Sequence, residues 1–107
     1  MKTNVQQKAG RKIETVTLEY ICPETKENKE IKVILHDPNF DEICEAYRYI
    51  YDDNGKFDPI TSGKIILDLC SLEYSNEMSN PRLLMCVCSR LRALYVEPII
   101  AEVKKKD

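Results

Sequence analysis

Hydrophobic and polar positions follow two different rhythms, and the change falls near residue 37. Between Ile13 and Cys22, Val16, Leu18, Tyr20 and Cys22 alternate with Thr15, Thr17, Glu19 and Ile21. A period of two with one apolar face is the mark of a half-buried strand. The Thr, Val, Ile and Tyr content suits a pleated surface. A polar turn, Pro23 to Lys29, follows. Ile31, Val33 and Leu35 then alternate with Lys32, Ile34 and His36. Two adjacent strands joined by a short polar loop predict an antiparallel hairpin. An isolated hairpin is barely stable, so this one must pack on something.

Beyond His36 the apolar spacing becomes helical, and its punctuation is regular. Asp37-Pro38, Asp58-Pro59 and Asn80-Pro81 each open an apolar periodic segment. Asp and Asn cap helix N-termini by accepting from an orphan backbone N–H, and proline is tolerated at the first helical position. These starts predict helices over 38–51, 59–74 and 81–97. The first carries Phe40, Ile43, Cys44, Tyr47, Ile50 and Tyr51 on a single stripe, with Asp41, Glu42, Glu45 and Arg48 off it. Asp52, Asp53, Asn54 and Gly55 end it; the glycine suits a left-handed residue. A calcium loop centred on that glycine fails, because Ile50 and Thr61 would occupy its first and last ligand positions. The second helix carries Ile60, Ile65, Ile66, Leu67, Leu69, Cys70 and Leu72, and its Gly63 either permits a close helix–helix approach or weakens the first turn.

The third helix is apolar almost all round. Leu84, Val87, Leu91 and Leu94 form one seam, Leu83, Cys88 and Tyr95 widen it, and Met85, Cys86, Ala93 and Val96 lie on the other side. Such a helix is either central to its domain or part of an interface. Pro98 interrupts it, and Ile99, Ile100 and Val103 continue an apolar pattern before Lys104–Lys106. The expected architecture is α+β: an N-terminal antiparallel β-hairpin, a three-helix bundle and a short C-terminal helical tail. Residues 1–12 read as a flexible polar arm, 13–97 as a single domain and 98–107 as the tail. The excess apolar surface places an interface on Met85, Val96, Ile99, Ile100 and Val103.

Composition narrows the class. The chain of 107 residues is 43% hydrophobic and 32% charged, globular rather than disordered. Sixteen Lys+Arg against eighteen Asp+Glu leave a net charge of -2. That balance argues against nucleic acid as the main partner. Arg82, Arg90, Arg92 and Lys104–Lys106 are the residues that phosphate contact would use. No apolar run approaches the roughly 18 residues of a membrane span. The polar first twelve residues lack the apolar core of a secretory signal.

Candidate chemistry is sparse. Five cysteines, Cys22, Cys44, Cys70, Cys86 and Cys88, are an odd number and fit a reducing compartment better than a disulfide framework. Cys86 and Cys88 are the only close pair, and on a helix they point about 200° apart, so both cannot face one metal. Cys44, Cys70 and Cys88 occupy apolar positions and read as core filler. His36 is the only histidine and reads as an ordinary residue at a strand end, and no serine lies in a nucleophile elbow. Asp52, Asp53 and Asp58 sit in a turn and beside a cap rather than in a cleft. These observations assign no catalytic residue, no metal ligand and no cofactor.

The hairpin leads directly into His36-Asp37-Pro38-Asn39-Phe40, and Ala46 follows in the first helix. This arrangement resembles the small tail assembly chaperones of tailed bacteriophages, in which a short hairpin precedes an xxPTFxxxxxA stretch and a compact helical remainder. The matching residues are Pro38, Phe40 and Ala46, with Leu83, Leu84 and Leu91 in the later helices, over a span from about Ile13 to Tyr95. The cysteine content and the long Pro23–Lys29 turn depart from that pattern. The resemblance implies a non-enzymatic protein that binds tail proteins, notably the tape-measure protein, in the host cytoplasm. On that reading Met78 and Met85 help the helix face adapt to irregular partners. The alternative is a structural virion component, a neck, tail or capsid-associated subunit forming a homo-oligomer. A complex with tail proteins separates the first reading from a free monomer, and presence in purified particles marks the second.

Overall fold

The computed structural model describes residues 10–97. Strand β1 (Ile13–Ile21) pairs antiparallel with β2 (Asn28–His36) from Ile13 opposite His36 to Ile21 opposite Asn28. The alternation sets the faces as expected. Ile31, Val33 and Leu35 are buried, while Val16, Leu18 and Tyr20 pack half-buried against the same core. The predicted hairpin and helices are present, and the fold is α+β.

The sheet has a third strand, where the sequence pattern predicted the end of a helix. Helix α1 (Phe40–Tyr47) and helix α2 (Thr61–Cys70) are followed by β3 (Ser71–Tyr74), which pairs antiparallel with β2 to give the order β1-β2-β3. Ser71 lies opposite Leu35, and Glu73 opposite Ile34, so the pairing carries a bulge between Ile34 and Leu35. Residues 71–74 therefore leave the helix predicted over 59–74. Ser71-Leu72-Glu73-Tyr74 holds only two apolar residues, too few to decide between a period of two and a helical one. A short 3-10 turn (Asn76–Ser79) leads into helix α3 (Pro81–Tyr95).

The helix starts show which caps operate. Asn80 accepts from the Arg82 N–H at 3.0 Å with Pro81 in the first turn, as the sequence predicts. At α1 the cap is Asn39 rather than Asp37. Asn39 accepts from the Glu42 N–H at 2.9 Å, and Glu42 Oε1 accepts from the Asn39 N–H at 3.0 Å, a reciprocal capping box. At α2 Asp58 stands just before the helix, and its Oδ1 accepts from the N–H groups of Ile60 and Thr61 at 2.9 and 3.0 Å.

One core joins the layers. Ile31, Val33 and Leu35 from the sheet meet Ala46, Ile66, Leu67 and Cys70, and Val87, Cys88, Leu91 and Val96 close it. Helices α2 and α3 touch backbone to backbone at Gly63, where an added Cβ would lie 1.7 Å from the Cys88 carbonyl oxygen. Of the two readings the sequence allows for Gly63, close approach is the one realised. Residues 1–9 of the arm and 98–107 of the tail lie outside the described residues. Within the arm, Arg11 is fixed to the domain: its guanidinium donates to the Asp37 carbonyl and to Glu42 Oε1. Among the described residues no helix is long and apolar enough to cross a membrane.

Candidate functional site

Two places combine unusual chemistry with a defined geometry. The first is the outward face of α1. The sequence pattern predicts that the stripe Phe40, Ile43, Cys44, Tyr47 faces the core. Instead the buried positions of this helix are Glu42 and Ala46. At ~100° per residue their mean direction lies roughly 130° around the helix from that of the stripe. Phe40 is 78% exposed, Tyr47 is exposed, and Ile43 and Cys44 are half-buried. Glu42 is tied to the inside by Arg11 and by His36, whose Nε2 lies 3.6 Å from Glu42 Oε2, and Ala46, one turn on, is buried on the same side.

Between α1 and the end of α3 runs a groove of about 540 Å³, lined by Ile43, Cys44 and Tyr47 and by the chain from Leu94 to Glu97. Beside it the chain leaves α1 through a tight turn closed by a bridge between Tyr51 and Phe57. Asp52 Oδ1 accepts from the N–H groups of Asn54 and Lys56 at 2.9 Å each, and Gly55 supplies the left-handed residue at φ 77°. The rings of Tyr51 and Phe57 meet edge-on at 6.3 Å, and the Arg92 guanidinium lies 4.9 Å from the Phe57 ring centre. Every aromatic side chain left exposed by the fold (Phe40, Tyr47, Tyr49, Tyr51 and Phe57) belongs to this one stretch of chain.

The residues singled out from the sequence divide accordingly. Met85 is exposed on α3. Val96 is not available: it is 1% exposed and belongs to the core, although it also touches the groove. Ile99, Ile100 and Val103 lie outside the described residues. The exposed apolar surface therefore centres on α1 and the turn after it, with Leu94 and Met85 as the contribution of α3. Of the arginines, Arg82 and Arg90 are exposed, whereas Arg92 is buried against Phe57 and paired with Glu97, so it cannot serve a phosphate.

The second place is interior, and sequence spacing gives no sign of it. His36 at the end of β2, Glu42 in the first turn of α1 and Cys70 at the end of α2 bring one imidazole nitrogen, one carboxylate oxygen and one sulfur within 4.8 Å of one another. All three side chains are buried. Glu42 Oε1 is engaged by Arg11 at 2.8 Å and by the Asn39 N–H, and Oε2 lies 3.6 Å from His36 Nε2. The hydrogen bond to Glu42 holds the Arg11 guanidinium above its ordinary pKa. Nearby, Tyr95 donates to Glu14 Oε1 at 3.1 Å, and burial pushes its phenol well above the usual range. A thiol, an imidazole and a carboxylate are also the parts of a thiol nucleophile. Here Cys70 and His36 have no exposed surface, so no substrate reaches the sulfur while the fold is closed. No signal short of the fold could join positions 36, 42 and 70, because three separate elements supply them.

Comparison with protein-family models, with curated proteins and with solved structures finds no match to this chain.

Proposed function

We propose that the protein is a non-enzymatic binding module whose α1–α3 groove receives an apolar face of an amphipathic helix from a client protein. The observation that carries this reading is the rotation of α1, which turns its apolar stripe to the outside and its Glu42 to the inside. A largely apolar groove between two helices, with the exposed Tyr47 and Leu94 in its lining, suits helix-in-groove recognition. Aromatic side chains are also the residues that most often dominate interface energies. Covering the remaining exposed surface by a partner would contribute about 1–2 kcal/mol at Phe40, 78% exposed, and about half the full-burial range at the half-covered Leu94.

The client class follows the resemblance to phage tail assembly chaperones. The proline and phenylalanine of that motif have a purely structural explanation only if the ring packs beneath the helix. Pro38 is buried, but Phe40 projects into solvent, which leaves its ring for a partner. On this reading the client is a tail protein, the tape-measure protein above all, whose helices need cover before assembly.

The test is co-expression of the full chain with phage tail proteins, followed by co-purification. The wild-type chain is expected to form a stable complex, and Phe40→Asp with Tyr47→Asp to abolish it without loss of fold. A complex that survives the double substitution, or a wild-type chain that stays a free monomer beside those clients, overturns the reading.

A further inference from the structure

We propose that His36, Glu42 and Cys70 form a buried Zn2+ site that ties the end of β2, the start of α1 and the end of α2 together. The argument begins with the donor set. Imidazole nitrogen, thiolate sulfur and carboxylate oxygen are the three protein ligand types of zinc. A site mixing thiolate and imidazole favours zinc over the hard cations magnesium and calcium.

The spacing agrees. With metal–nitrogen and metal–oxygen bonds near 2.1 Å, two ligands of a tetrahedral centre stand about 3.4 Å apart. His36 Nε2 and Glu42 Oε2 are 3.6 Å apart, longer than a direct hydrogen bond and close to that edge. The donor atoms of all three residues fall within 4.8 Å, and a tetrahedral centre sets sulfur about 3.6 Å from the other two donors, so a closing shift of at most about 1.2 Å brings Cys70 Sγ to the same centre.

The surroundings are those of a held ligand. Metal-binding carboxylates are themselves oriented by hydrogen bonds. Glu42 receives Arg11 and the Asn39 N–H on Oε1, which leaves Oε2 as the oxygen turned towards His36. A thiolate and a carboxylate offset the charge of Zn2+, which leaves the part-exposed Arg11 guanidinium on Glu42 Oε1 as the remaining charge of the cluster. On binding, the Cys70 thiol gives its proton to solvent as the S–Zn bond forms, and the fourth position takes water. No redox change is involved. With three protein ligands the centre keeps one position open, and it stands independently of the client-binding reading.

The experiment uses the full reduced chain, freed of metal by a chelator and titrated anaerobically with Co2+ and then Zn2+. Because the ligands are buried, the titration is run both on the folded chain and during refolding. The expected result is one Co2+ per chain, with a thiolate-to-metal band and the visible intensity of a tetrahedral centre, displaced by Zn2+. Zn2+ should also raise the thermal midpoint. Cys70→Ser and His36→Gln should weaken binding at least roughly 100-fold, whereas Cys22→Ser combined with Cys86→Ser should leave it unchanged. Where a ligand variant does not fold, X-ray absorption of the wild-type zinc form decides, with one sulfur in the first shell expected. No stoichiometric uptake, uptake that survives both ligand substitutions, or a zinc shell without sulfur overturns the proposal.

Discussion

Gly63→Ala offers the sharpest measurement, because sequence and structure give it opposite signs. In an exposed helix the change would stabilise by about 1 kcal/mol, since alanine has the higher helix propensity. Gly63 is buried, and its missing Cβ is where α3 passes. The new carbon would sit 1.7 Å from the Cys88 carbonyl oxygen, 2.5 Å from its carbonyl carbon and 3.0 Å from its Cα. Ordinary contact begins at 3.4 Å, so the shortfall against the oxygen is 1.7 Å. The obstacle is main chain, which cannot swing aside as a side chain does, so the two helices must part. Ile66 and Leu67 on α2 share a core with Val87 and Leu91 on α3, and a radial gap of even 0.5–1 Å forfeits about a quarter to a half of each dispersion contact. Overpacking of this kind costs about 3 kcal/mol. Subtracting the propensity gain leaves about 2 kcal/mol of net destabilisation. For a domain of this size that lowers the thermal midpoint by about 8–16 °C. Calorimetry or circular dichroism melting of the two proteins reads the difference. A Gly63→Ala protein that melts at or above the wild-type midpoint would refute the backbone contact.

Two further outcomes follow from the ionisable groups. Asp58 is held below the usual carboxylate range by the Thr61 hydroxyl first, then by the Thr61 and Ile60 N–H groups. Its contribution to stability is therefore complete above the unfolded carboxylate pKa near about 3.9, and it is lost as pH falls through the lower folded value. Asp58→Ala should cost about 1 kcal/mol at pH 7, with the gap between the two melting points narrowing in acid; a gap that ignores pH would discount the cap. For the thiols, the Thr25 hydroxyl and neighbouring N–H groups hold Cys22 below its ordinary pKa, whereas burial pushes Cys88 up to about 11. Alkylation of the native chain near pH 7.5 should modify Cys22 and the exposed Cys86 first and leave Cys70 and Cys88 unlabelled until the chain unfolds, as peptide mass spectrometry would read directly.

The hairpin was legible because its alternation is long and unbroken, and Asn80-Pro81 because cap and proline act locally. What the periodicity hid has specific causes. Ser71–Tyr74 follow α2 without a proline or glycine to break the helical reading, and their strand forms only by pairing with the edge of β2. The direction of α1 was misleading because an apolar stripe predicts which positions lie together, not which way they point. A buried Glu42 reverses that direction, and its burial depends on Arg11, thirty-one positions away in sequence. The third helix looked too apolar for a small domain. The sheet and α2 in fact cover Val87, Leu91 and Val96, while Met85 and Leu94 stay outside. The buried donor cluster had no sequence signature, since it exists only where three element ends meet.

The Arg92 clasp on Phe57 bears on how fast and how tightly this surface could engage anything. The exposed rings from Tyr47 to Phe57 do not ride on a slack loop: the turn is cross-bridged at its base, knotted internally by Asp52, and pinned to α3 by a cation lying on an aromatic face. Rings already held in place surrender little freedom on association, so more of the contact energy survives as affinity. Release of that clasp, as in Arg92→Ala, would turn a rigid die into a pliable one, trading selectivity for tolerance among the shapes it can meet.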